Sequence, residues 1–197
     1  MKEYKIIRQV ISKEMTDFLY QYFSLRRKSA NYLFQRKLIN PFSKYMGTWN
    51  DTQVPNTYSI YGDPAMECVL INLKDRMEKE VETKLVEMYS YARIYKRNDE
   101  LPRHKDRDEC AISTTLFLGG DKWPIYLEPS GEENRGGIKV DLNPGDMLIY
   151  RGCKMEHWRE PFDGDNCAQV FLHYNEENEE SLKNKYDNRA FIGAILP

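Results

Sequence analysis

Two of the chain's three histidines stand where a metal could use them. In LPRHKDRDEC, residues 101–110, His104 and Asp106 are two positions apart. On an extended segment such residues point the same way, so an imidazole nitrogen and a carboxylate oxygen converge on one point while Lys105 turns away. The third ligand must come from a distant segment. His157, in GCKMEHWREPF, follows about fifty residues later, just past LNPGDMLIY. Two histidines and one carboxylate, with open positions opposite, form a facial site suited to Fe(II). The His-x-Asp pair alone is a weak signal, because the charged run RHKDRDE also reads as a solvated turn. A histidine placed beyond a proline-glycine turn and a strand makes the combined pattern far more specific.

Those residues need rigid elements behind them. From residue 87 the sequence alternates: VEMYSYARIYK puts Tyr89, Tyr91, Arg93 and Tyr95 on one face. CAISTTLFLGG, WPIYLEP, GGIKVDL, DMLIYRG and NCAQVFLHY follow, split by Gly, Pro and Asn turns. Short strands at close spacing indicate a β-sandwich or barrel. The first half leans helical. Residues 12–35 carry Phe18, Leu19, Tyr22 and Phe23 at helical spacing behind the N-cap candidate Ser12. A second helix is expected to start at Asp63, with proline in its first turn and a buried stripe of Val69, Leu70, Leu73 and Met77. Residues 40–62 between them read as a long aromatic, polar loop, a candidate substrate cover. The expected fold is mainly β with N-terminal helices: a β-sandwich or jelly roll packed against two N-terminal helices. One domain spanning 1–197 is the simplest organisation, with helical support and loop in 1–86, the catalytic core in 87–175 and a charged tail, solvated helix or loop, in 176–197.

Composition excludes several alternatives. With 41% hydrophobic and 30% charged residues the chain reads as soluble and globular. A net charge of −2 gives no global attraction to nucleic acid or anionic membrane, and neither partner is expected. No apolar window is long enough to span a bilayer, and MKEYKIIRQV lacks the apolar run of a secretory signal. Cys68, Cys110, Cys153 and Cys167 show no CxxC spacing, so they read as reduced packing residues of a cytoplasmic protein.

YARIYKRNDELPRHKDRDECAISTTLFL followed by LNPGDMLIYRGCKMEHWREPFDGDNCAQVFLHY resembles the Fe(II)/2-oxoglutarate-dependent dioxygenases, and within them the prolyl 4-hydroxylase-like group in a small microbial or phage-type form. The likeness covers roughly residues 87–175 and implies a double-stranded β-helix (jelly-roll, cupin-like) core packed against two or more helices. It implies that His104, Asp106 and His157 bind Fe(II), and that Tyr95 contacts the cosubstrate 2-oxoglutarate. It also implies consumption of O2, formation of succinate and CO2, and hydroxylation of a substrate C–H, foremost a proline in a peptide or protein. A free amino acid or small metabolite is the alternative substrate. A jelly-roll metal-binding or recognition module without turnover is the alternative class.

One departure bears on the cosubstrate. The family usually carries a cation nine or ten residues after the second histidine, to pair with the distal carboxylate of 2-oxoglutarate. Here those positions are Asn166 and Cys167, with Gln169 beyond; none is cationic, and Asn166 and Gln169 stay as polar cosubstrate-side candidates. A dicarboxylate buried without a counter-charge is costly. Arg159, two residues past His157, is the preferred replacement, Arg93 the second, and Tyr126 could add a hydroxyl. A surface ion pair of Arg159 with Glu160 or Asp163, and a purely structural Tyr95, are the competing readings. Arg107 and Trp158, next to the ligands, are substrate-side candidates along with Arg93. His173 reads as structural.

Overall fold

The computed structural model of the chain describes residues 4–40, 43–107, 110–132 and 135–194. In chain order the elements are β1 Tyr4–Ile7, α1 Lys13–Gln35, β2 Tyr58–Tyr61, α2 Pro64–Val81, β3 Leu85–Tyr95, β4 Leu101–His104, β5 Ile112–Gly120, β6 Ile125–Glu128, β7 Ile138–Val140, β8 Met147–Tyr150, β9 Glu156–Arg159, β10 Cys167–Glu176 and α3 Glu179–Lys183. A short 3-10 turn, Lys185–Asn188, follows.

The strands form two antiparallel sheets. The major sheet runs β1-β8-β5-β10-β3-β2, and the minor sheet β4-β9-β6-β7. Side-chain alternation gives the major sheet two different faces. Its outer face, with Ile60, Ala92, Ile94, Ile149 and Val170, packs on Leu19, Phe23, Leu70 and Met77 of the two long helices. Its inner face meets the minor sheet around Tyr95, Phe117, Leu127, Leu148 and Tyr150. This is the expected double-stranded β-helix backed by helices.

Both helices start where the sequence places them. Ser12 accepts from Met15 N–H at 3.3 Å. Asp63 accepts from Ala65 N–H at 3.0 Å, and Pro64 occupies the position where a missing N–H costs nothing. The stripe Val69, Leu70, Leu73 and Met77 is buried, but Phe18 is exposed, since α1 turns Leu19, Phe23 and Ala30 toward the core instead.

Three expectations need correction. Residues 1–86 supply two strands as well as helices: β1 and β2 extend the major sheet at its two edges. Each has only four residues, too few to display a period. For the same reason the loop expected to run to residue 62 ends at β2; Pro41 and Phe42 in it lie outside the described residues. The tail is anchored rather than merely solvated. Arg189 is buried and pairs with Glu67 of α2 at 2.9 Å.

Candidate metal centre and cavity

His104 ends β4 and His157 lies in β9, and the two are direct partners in the antiparallel pair. Their ring centroids are 4.1 Å apart. Asp106 follows β4, and its N–H donates to Gly152 O at 2.9 Å. Asp106 Oδ1 lies 3.6 Å from His104 Nε2 and 3.5 Å from His157 Nε2.

The ring orientations repeat one device. His104 Nδ1 sits 2.8 Å from Pro102 O, and His157 Nδ1 sits 3.0 Å from Met155 O. A carbonyl can only accept, so each Nδ1 carries the proton, and in the neutral ring the Nε2 lone pair is left free. Both lone pairs and one carboxylate oxygen therefore face a common point. Three acceptors facing one another are unfavourable unless a cation or protons lie between them. Burial pushes the Asp106 pKa up; positive charge at the two imidazoles, which Nε2 protons supply when no cation does, outweighs burial and holds the carboxyl well below the usual range. The donor set fits a divalent iron-type cation.

The second carboxylate oxygen is fixed from behind. Ser113 Oγ donates to Asp106 Oδ2 at 2.6 Å. His173 Nδ1 lies 3.2 Å from the same hydroxyl, across the β5–β10 pair. A Cβ on Gly152 would collide with the Asp106 carboxylate and Ser113 Oγ, so this turn requires glycine by contact rather than by backbone angle.

The three residues open on a cavity of about 300 Å³. Tyr89, Tyr91, Arg93 and Tyr95 line it from alternate positions of β3, as the sequence period predicts. Arg107 stands at its rim, with Nη2 2.9 Å from Asp187 and its guanidinium over the Tyr89 ring. Asp51 and Gln53, from the 40–62 loop, also line it, bonded to Tyr91 and Arg93.

The two candidate cations differ in surroundings. Arg93 forms an ion pair with Asp51 and donates to Tyr95 Oη at 3.1 Å. Arg159 is 1% exposed and lies in the barrel interior, where it donates to Trp123 O and to Thr115 Oγ1. No carboxylate lies within ion-pair distance of it among the described residues, so the surface pair with Glu160 or Asp163 does not form. Arg159 does not line the cavity; Tyr95 and Tyr150 bound the cavity on that side. Gln169 is also interior, its Oε1 accepting from Thr115 Oγ1 at 2.9 Å.

Three expected site residues sit elsewhere. Trp158 faces away from the barrel because neighbours on a strand alternate, and His157 and Arg159 take the inner face. It stacks on Tyr126 at 5.4 Å, with the Arg103 guanidinium 3.4 Å from its ring centroid. Tyr126 is thereby also directed outward. Asn166 lies in the turn before β10, where its carbonyl accepts from Asp121 N–H at 2.7 Å. None of the three lines the cavity.

Sequence reasoning missed Asp51, Gln53, Ser113 and the placement of His173. His173 shares strand parity with Gln169 and Phe171, which is a usable signal; it lines the cavity and packs at a tilt against Tyr89, centroids 4.5 Å apart. Burial lowers its pKa to about 4. For Asp51 and Gln53 the sequence held no signal beyond loop polarity. All four cysteines are free thiols, Cys110 and Cys167 buried, Cys153 intermediate and Cys68 exposed. No described helix is long and apolar enough to cross a membrane.

No family model matches the chain. No curated protein matches it in sequence. Solved structures do match. A Pseudomonas putida prolyl-4-hydroxylase is 13% identical, with 90% of this chain and 95% of that one covered at a TM-score of 0.60. A viral collagen prolyl hydroxylase from Paramecium bursaria chlorella virus-1, in complex with 2-oxoglutarate, is 11% identical over 89% and 97% at 0.57. HygX from Streptomyces hygroscopicus, with nickel and 2-oxoglutarate bound, is 14% identical over 89% and 83% at 0.59. The chain therefore has the double-stranded β-helix fold of the 2-oxoglutarate–Fe(II) oxygenases, the fold its sequence resemblance implied.

Proposed function

We propose that the chain is an Fe(II)- and 2-oxoglutarate-dependent dioxygenase that hydroxylates a substrate C–H, with succinate and CO2 as co-products. The observation that carries this reading is the convergence of His104 Nε2, His157 Nε2 and one Asp106 oxygen, all within 4.8 Å of one another, at the floor of the cavity. Those residues would hold the metal. When bound, iron and the oxoacid supply the O2-activating chemistry that no side chain can provide. The protein's part is positioning. The Pro102 and Met155 carbonyls fix the two imidazoles, and Ser113 fixes the carboxylate.

Arg159 is the proposed anchor for the distal carboxylate of 2-oxoglutarate. It lies two residues beyond His157 on the same inner face, about 7 Å along the strand. That spacing suits a five-carbon dicarboxylate. An anion would also complete a buried guanidinium that has only neutral partners and an unpartnered Nε. Tyr95, at the cavity wall between the two, would contact the cosubstrate. Arg107 and the 40–62 loop would face the substrate. Prolyl peptide is the leading substrate, supported by the likeness to two prolyl hydroxylases. A small molecule is the second reading, supported by the equal likeness to HygX, one structure of which holds hygromycin B.

The test is iron-dependent conversion of 2-oxoglutarate to succinate. His104→Ala and Asp106→Ala should abolish it while the fold persists by circular dichroism; normal turnover in either variant would remove the assignment. Mass spectrometry of proline-containing peptides, looking for the gain of one oxygen, separates the substrate classes.

A further inference from the structure

Beside the first ligand set lies a second. Asp106, Cys110 and His173 offer a carboxylate oxygen, a thiol sulfur and an imidazole nitrogen, again all within 4.8 Å of one another. We propose that these three form a second metal site, sharing Asp106 with the first and selecting a softer cation, Zn(II) foremost. Its consequence for turnover rests on the iron reading above; its existence does not.

The geometry supports a built site rather than a chance cluster. Ser113 of β5 and His173 of β10 are cross-strand partners, and Cys110 stands just before β5. Tyr89 holds both new ligands. Its hydroxyl lies 3.0 Å from Cys110 Sγ, and its ring packs at a tilt against His173, centroids 4.5 Å apart. Cys110 and His173 are 2% and 6% exposed, yet both line the open cavity, so a cation reaches them by the route that serves the first site. Asp106 has an oxygen for each set: Oδ1 turns to His104 and His157, while Oδ2 turns to Ser113, on the His173 side. Arg107 brings a positive charge close to Tyr89, but Asp187 balances it at 2.9 Å.

The two donor sets sort cations by softness. Two nitrogens and an oxygen suit Fe(II), whereas a thiolate favours zinc-like ions. Three protein ligands leave a zinc ion one further position for solvent. Binding releases the Cys110 proton to solvent and replaces the Ser113–Asp106 hydrogen bond by a metal–oxygen bond. Zinc at this site therefore takes the Oδ2 that Ser113 orients, leaves Oδ1 to the first site, and slows turnover there.

Cobalt(II) reports both sites spectroscopically. Chelator-stripped, reduced protein titrated anaerobically should bind two cobalt ions per chain, with a thiolate-to-cobalt charge-transfer band in the near ultraviolet. Cys110→Ser should bind one and lose the band. His104→Ala should bind one and keep it. Should Cys110→Ser lose its fold, His173→Ala must show the same loss, and in the unmutated chain Zn(II) must displace the band. A band-free wild-type titration overturns the proposal. So does a band that survives Cys110→Ser, which would place the thiolate at Cys153 or Cys68. Failure of the iron reading looks different: the His104→Ala variant would then bind as many cobalt ions as the wild type, with the Cys110 band intact.

Discussion

Arg93 and Arg159 are both buried guanidiniums inside the barrel, 2% and 1% exposed, and each has an unpartnered Nε. They differ in one respect. Arg93 has Asp51, a carboxylate delivered by the 40–62 loop, together with Tyr95 and Gln53. Arg159 has the Trp123 carbonyl and the Thr115 hydroxyl, and no negative charge. A buried cation that already holds a carboxylate is a finished structural pair. One with only neutral partners is suited to receive an anion from outside the chain. The order of preference between the two arginines follows from Asp51, a residue that no cosubstrate pattern would single out.

The strongest way to break this contrast is to remove each cation in turn. Arg93→Ala should destabilise the fold by about 3 kcal/mol, because the half-buried Asp51 keeps Tyr91 but loses its cation; urea unfolding measures this. Arg159→Ala should instead weaken 2-oxoglutarate by about 2–5 kcal/mol, while metal binding survives. Titration of the cosubstrate against the metal-loaded chain reads it, and an unchanged affinity would move the anchor to Arg93. Arg159→Met sharpens the comparison further. It should raise thermal stability in the absence of 2-oxoglutarate, since an unneutralised charge gives way to an apolar side chain.

Smaller effects probe the ligand end. His173 has a pKa lowered by burial from the ordinary 6.5 to about 4. As pH falls below 6.5 the unfolded chain takes up this proton and the folded chain does not. The metal-free protein should therefore lose up to roughly 3 kcal/mol between pH 6.5 and 4 on this account, and His173→Gln should flatten that limb of the stability curve. Ser113→Ala frees one oxygen of Asp106 and should reduce metal affinity by about 10- to 100-fold, measured by competition with a chelator.

Strand parity made much of the site legible. The alternation in β3 placed Tyr89, Tyr91, Arg93 and Tyr95 on the cavity wall, and the same rule directs Arg159 inward with His157. Adjacency to His157 suggests Trp158 as a pocket residue, whereas parity sends it to the outer face. The edge strands β1 and β2 were invisible because four residues carry too little pattern against a background of helix and loop. Asp51 reaches Arg93 across 42 positions through a loop whose path depends on packing of Trp49 against Tyr58 and Phe34, which no local pattern encodes.

The sequence by itself determined the alternation of the strands, the caps of both long helices and the shared direction of His104 and Asp106. These are local properties: side-chain direction repeats every two residues on a strand, and a cap needs only its own turn. Tertiary structure alone decided which buried arginine is neutralised, which oxygen of Asp106 Ser113 holds, and that Cys110 and His173 stand beside it. Those outcomes depend on contacts between segments far apart in the chain, and the energy of a buried charge is set by whatever carboxylate the fold brings within reach.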